Sequence, residues 1–311
     1  MAFYYLWPRL MKELKFSFYT WAQIRYDRYV EPKDDTHFKA KYYLNDYRDN
    51  LLDTPIERHA KELEIEKYKK NIACIDSKRA LLFNLFGNNN TFIVENPEGI
   101  PDGKYSITYK KRLQVIKGRN ITITLDAVLH SEKKKSIVIP RVRMFEWLVL
   151  KNELIKDSYL VPDNYINRKA GKVFAAVIKD LLTEYRYDCE DSVGKFTNLD
   201  GLHIIKEIIA AYNLLCTHEE YKSVDTITIA EVYWRPTHFE NLGQSAGRVF
   251  VKEQLMHKEL EEFLRIIKPV RFLFIKHFGV DLDVQCIDLR AMVMMQIKNQ
   301  PQTDWYFRYR F

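Results

Sequence analysis

The chain has 311 residues, a net charge of +7, 47% hydrophobic and 29% charged side chains. Those proportions are ordinary for a folded soluble protein, and 14% aromatic residues supply ample material for a core. Four dispersed cysteines, Cys74, Cys189, Cys216 and Cys286, argue against a disulfide framework or zinc site and predict reduced thiols in a cytoplasmic protein.

In chain order, the opening stretch "MAFYYLWPRLMKELKFSFYTW" is apolar but interrupted by Pro8, Arg9, Lys12, Glu13 and Lys15. It has neither the continuous apolar core of a signal peptide nor a membrane span, so no membrane association is expected. Residues 1–50 read as an aromatic and basic extension. Residues 51–311 read as one domain, because no Ser/Gly/Pro-rich linker divides them. Thr54-Pro55-Ile56-Glu57 has the form of a capping box with proline at the first helical position, predicting a helix to about Lys70. Asp76 or Ser77 should cap a second helix, "KRALLFNLF", that Gly87 ends.

Two alternating runs follow, "KYSITYKKRLQVI" and "NITITLDAVL", then the turn "HSEKKK" and the strand "SIVI". Helical character is expected after Met144, with longer amphipathic helices near residues 167–185 and 200–215. "DTITIAEVYWRP" reads as a strand stopped by Pro236. A helix is expected near 252–267, and "VRFLFIKHF" and "LDVQCIDL" read as late strands. Helices that precede, interrupt and follow strands predict an α/β fold with a mixed β-sheet flanked by helices.

Between Gly103 and Arg143 lie eleven basic residues and only two acids, Asp126 and Glu132, a larger surplus than the whole chain carries. Lys110, Lys111, Arg112, Lys133, Lys134 and Lys135 belong to this segment, which reads either as the footprint of a polyanion or as a solvated hairpin. Lys133–Lys135 alone fit the tip of such a hairpin. At the segment's end, "SIVIPRVRMFEW" places Arg141 and Arg143 on the strand face of Ile137 and Ile139. Asp126 ends "ITITLD", where a carboxylate needs a partner, a hydrogen bond or a metal. Hairpin geometry would place it beside the two arginines, where it reads either as the salt-bridge partner of one of them or as a functional carboxylate.

An aspartate on one strand, a turn, and two polar residues flanking one residue on the next strand resemble the layout of the PD-(D/E)xK nuclease superfamily. "SKRALLFNLFG" is similar to the corresponding helix of a group of bacterial restriction-endonuclease-like members, and Glu62, Glu64 and Glu66 fit an upstream acidic helix. The resemblance covers roughly residues 54–150. It implies a restriction-endonuclease-like fold, DNA as partner, and Mg²⁺ held in part by Asp126 for phosphodiester hydrolysis. The sequence departs from the family at Arg141, where a glutamate stands, and at Arg143, where a lysine stands. A guanidinium cannot ligate a metal. Either another carboxylate (Glu146, Glu132 or Glu66) completes the site, or the site is catalytically eroded and the arginines grip phosphate. A non-catalytic nucleic-acid- or protein-binding module is the alternative, and a homodimer is left open. Glu231 shares the face of Ile227 and Ile229 and reads as a partnered core acid. "NLGQSAG" reads as a turn, and the tail "DWYFRYRF" as a terminal packing strand or a base-stacking element.

Overall fold

The computed structural model describes residues 38–40, 43–87, 90–93, 100–117, 121–144, 146–148, 154–183, 191–235 and 244–295. The opening aromatic stretch and the tail "DWYFRYRF" lie outside these residues. Strands β1 (Phe38–Ala40) and β2 (Tyr43–Leu44) form a small antiparallel ribbon. Beyond it the buried Asn50 amide donates to the carbonyls of Ile72 and Cys74, tying this segment to the helices that follow.

The expected first helix is two helices, α1 (Glu57–Glu62) and α2 (Ile65–Ile72). Ile56, not Thr54, holds the N-cap position, and Glu64 breaks the run in a left-handed conformation (φ 51°). Helix α3 (Lys78–Phe86) forms as its sequence predicts. The Ser77 hydroxyl accepts from the amide of Ala80, and Gly87, at φ 74°, ends it.

Strands β3 (Asn90–Ile93), β4 (Gly103–Tyr109), β5 (Arg112–Ile116), β6 (Ile121–Thr124), β7 (Ala127–Ser131) and β8 (Ser136–Arg143) come next. Each of the two alternating runs breaks in the middle, because Lys110 adopts φ 49° and turns the ribbon. Backbone bonds from Lys110 N to Asp126 O (3.0 Å) and from Leu125 N to Lys111 O (2.9 Å) carry the pairing across the bend. The β5–β6 ladder therefore leaves the main sheet, and Asp126 sits at the break ahead of β7 rather than within a strand.

The chain continues through β9 (Leu154–Lys156), α4 (Arg168–Leu181), β10 (Asp191–Val193), α5 (Gly201–Thr217) and β11 (Thr226–Tyr233). It ends in α6 (Gln244–Ile266), α7 (Lys268–Phe278), β12 (Asp281–Asp288) and α8 (Leu289–Met294). The main sheet has the order β12-β11-β8-β7-β4-β3. β11 runs parallel to both neighbours, and the remaining pairs are antiparallel. The protein is thus α/β with a mixed sheet flanked by helices.

Three local expectations fail. "VRFLFIKHF" is helix α7, begun by Pro269 in its first turn and closed by Gly279 at φ 72°. Residues 146–148 form a turn, not the start of a helix, and Gln244 opens α6 where a turn was expected.

The site is shaped by the way β8 pairs with its two neighbours. Its ladder to β7 ends at the pair Leu129–Val138, two residues before Pro140, whereas its ladder to β11 runs on to Arg143. Proline has no N–H to give a second neighbour, so it is tolerated once one side of the strand is released. β7 and β8 part there, and the space beside Asp126 and Arg141 is filled by charged side chains.

Candidate functional site at the carboxyl ends of two parallel strands

Along β8 the face that carries Ile137 and Ile139 ends in Arg141 and Arg143; along β11 the face of Ile227 and Ile229 ends in Glu231. The parallel register sets Glu231 directly beside Arg141. Ligands of open α/β sheets bind outside the carboxyl ends of parallel strands, so the location is suited to function.

The two arginines meet two acids. Arg141 Nη2 lies 3.1 Å from Asp200 Oδ2 and its Nη1 lies 3.5 Å from Glu231 Oε1. Arg143 Nη2 donates to the same Asp200 oxygen at 2.6 Å. Its Nε approaches Glu231 Oε2 at 3.1 Å, off the line of the N–H, so that contact is ionic rather than a well-formed hydrogen bond. Glu231 and Arg143 are only 4% and 7% exposed. A buried and a half-buried guanidinium side by side would be costly alone, and the two carboxylates neutralise them.

Asp200 is delivered to this position by α6. Glu259 accepts from the backbone amides of Thr197, Asn198 and Leu199, at 3.3, 2.7 and 2.6 Å. The buried Lys252, two helical turns before Glu259, donates to Thr197 O and Asn198 Oδ1. Burial pushes its ammonium down to about 8; Glu259 opposes that effect and Arg143 adds to it. With residues 197–199 so pinned, Asp200 caps α5 by accepting from His203 N through Oδ1 and keeps Oδ2 for the arginines.

One turn further along α5 lies Glu207. Its Oε1 is 3.2 Å from His203 Nε2, and its Oε2, fully enclosed, has no hydrogen-bond partner. Burial raises the pKa of this carboxyl; His203 and Arg141 pull it down, while Glu231 pushes it further up.

Asp126 does not neutralise Arg141 or Arg143, contrary to the sequence expectation. Its carboxylate lies 2.5 Å from Lys78 Nζ, on the first residue of α3, and 2.8 Å from Lys110 Nζ, at the bend after β4. Burial would raise its pKa, but the two ammonium groups outweigh that and hold it well below the usual carboxylate range. Lys78, Asp200, His203, Glu207 and Lys252 were not singled out by sequence reasoning. Only Asp200 carried a signal, as an acid immediately before a helical run.

The other candidates are scattered. Glu66 is exposed and pairs with Lys69. Glu146 accepts locally from Met144 N, and Glu132 lies at the exposed tip between β7 and β8. Of the upstream acids, Glu62 comes nearest to the bend, but it accepts from Tyr109 N. The basic segment is divided as well. Lys110 is spent on Asp126, Lys111 contacts Glu220 and Tyr221, and Arg112 donates to Thr122. Lys133, Lys134 and Lys135 project at the far end of the β7–β8 hairpin, where Lys135 faces Asp225. Among the described residues no group of three or more His, Cys, Asp or Glu side chains is disposed to hold a metal ion. No helix among them is long and apolar enough to cross a membrane.

Comparison with family models, curated proteins and solved structures finds no match for this chain.

Two outcomes follow from the electrostatics. Asp126→Ala should cost about 3 kcal/mol in urea unfolding, the lower end for breaking a buried ion pair, because Lys78 is over a third exposed and can relax into water. A change below about 0.5 kcal/mol would show that solvent already relieves both lysines. Glu207, with a folded pKa above its unfolded one, contributes stability below the ordinary carboxyl range that is lost as pH rises through the folded value. The melting midpoint of Glu207→Gln should therefore gain on wild type as pH rises from 4; a gap that stays level or reverses contradicts the assignment.

Proposed function

We propose that the chain is a nucleic-acid-binding protein of restriction-endonuclease-like architecture whose metal-dependent hydrolytic centre has been replaced by ion pairs. The observation that carries this reading is the fate of three positions. Asp126 directly precedes β7, and Arg141 and Arg143 end the adjacent antiparallel strand β8, the positions at which the resemblance calls for metal ligands and a lysine. α3, the helix whose sequence is similar to that of bacterial members of the family, supplies Lys78 to the same place. The arrangement of strands thus supports the likeness, while the side chains in it are already paired.

Magnesium does not fit the residues present. It needs hard oxygen donors. Both oxygens of Asp126 face ammonium groups, and the neighbouring strand offers guanidinium where a carboxylate would be required. None of Glu66, Glu132 and Glu146 is turned to this position.

Nucleic-acid binding draws its support from the charge surplus. Lys104, Lys133 and Lys134 are exposed at one end of the sheet, with the Lys134 chain packed over Gly103. Arg112 and Lys117 are exposed on the β5–β6 ribbon. The partner favoured is duplex DNA, held through phosphates. A second reading, a protein-binding module, is favoured by the exposed Phe250, Val251 and Leu255 on α6 and Phe272 and Ile275 on α7.

Binding of a short DNA duplex should weaken steeply with added salt as counterions are released. The double change Lys133→Glu and Lys134→Glu should reduce the slope of log affinity against log salt by about 0.9 for each phosphate that is no longer neutralised. Binding that ignores salt, or none at low salt, would leave the protein-binding reading in its place.

A further inference from the structure

Arg141 is flanked by the acid that caps α5 and by an acid on β11. Asp200 before α5 and Glu231 on β11 lie at 3.1 and 3.5 Å from its guanidinium nitrogens. Burial works against the charged form of Arg141, and the neighbouring negative charge, that of Glu231 above all, overcomes it. Glu207 is 2% exposed and keeps one enclosed oxygen without a hydrogen-bond partner. We propose that Asp200 and Glu231 form a cage for a planar, hydrogen-bonding monovalent cation, and that the guanidinium of Arg141 is that cation, tethered to β8. The inference rests on the ion-paired reading of the site given above.

The spacing favours guanidinium over a metal. Nitrogen-to-oxygen separations of 3.1 and 3.5 Å suit a cation that reaches its acceptors through hydrogen atoms. Magnesium draws its oxygens to about 2.0–2.1 Å in an octahedron. No three acids among the described residues converge in that way. Guanidinium also holds its donors in one rigid plane, which matches carboxylate oxygens side by side, whereas an ammonium is a compact point charge with no such fork. Asp200 and Glu231 are shared with Arg143, so the cage persists as a negatively charged recess when Arg141 is shortened.

The test is chemical rescue of Arg141→Ala, followed by thermal unfolding at constant ionic strength. The variant should melt below wild type. Low millimolar guanidinium or methylguanidinium, well under denaturing concentration, should raise its midpoint by about 2–4 °C, the response of a chain of this size to a ligand near tenfold over its Kd. The same salts should not raise the wild-type midpoint, and equal ionic strength from potassium or magnesium chloride should not rescue the variant. Rescue by magnesium as good as by guanidinium would make this a metal site and overturn the proposal, as would no rescue by either. Should Arg141→Ala fail to fold, Arg141→Lys keeps the charge without the planar fork. It should melt clearly below wild type, and equal stability would overturn the proposal. These readouts involve neither DNA nor cleavage, so they can fail while nucleic-acid binding stands, and the reverse.

Discussion

Two guanidinium groups close an otherwise apolar strand, and the surrounding structure is arranged to tolerate them. An uncompensated charge in such a place costs several kcal/mol. Arg141 and Arg143 therefore require Glu231 in register on β11 and Asp200 at the head of α5. Asp200 in turn requires residues 197–199 to be held, and Glu259 and Lys252 on α6 do this. One charge requirement thus links β8, β11, α5 and α6. Replacing a buried ion network by apolar residues is often neutral or stabilising. The network's contribution lies in fixing one register and one helix position rather than in net stability.

The same network determines what chemistry the strand ends can perform. Each acid there already faces a cation, and each cation an acid. Asp126 is held by Lys78 and Lys110, Arg141 and Arg143 by Asp200 and Glu231. Glu207 is the member with an unused oxygen, and burial favours its protonated form. A site closed in this way can fix structure. In our proposal the hydrolytic role has gone, and phosphate contact falls to the exposed lysines.

What was legible in the sequence is what local pattern controls. Ser77 and Gly87 bound α3 because a cap and a positive-φ glycine act within four residues. The β7–β8 hairpin and β11 follow from alternation and from the turn at residues 132–135. α7 was misread because a short aromatic and β-branched run suits a strand as well as a helix, and only Pro269 and Gly279 marked the difference. The partner of Asp126 was misassigned for another reason. The ladder from β7 to β8 stops at Val138, and Lys78, 48 residues upstream, reaches in through the opening. Pro140 was the visible sign of that opening. Asp200 and Glu231 lie 57 and 88 residues beyond Arg143, a pairing that no local spacing can reveal.

The central claim is that the cations in this site are the chain's own. Calorimetric titration of Mg²⁺ into the wild-type protein, with and without a DNA duplex, tests it most directly. The account predicts no saturable metal uptake and no phosphodiester cleavage on adding the metal. Stoichiometric Mg²⁺ binding that disappears in Asp126→Asn, accompanied by strand scission, would contradict it.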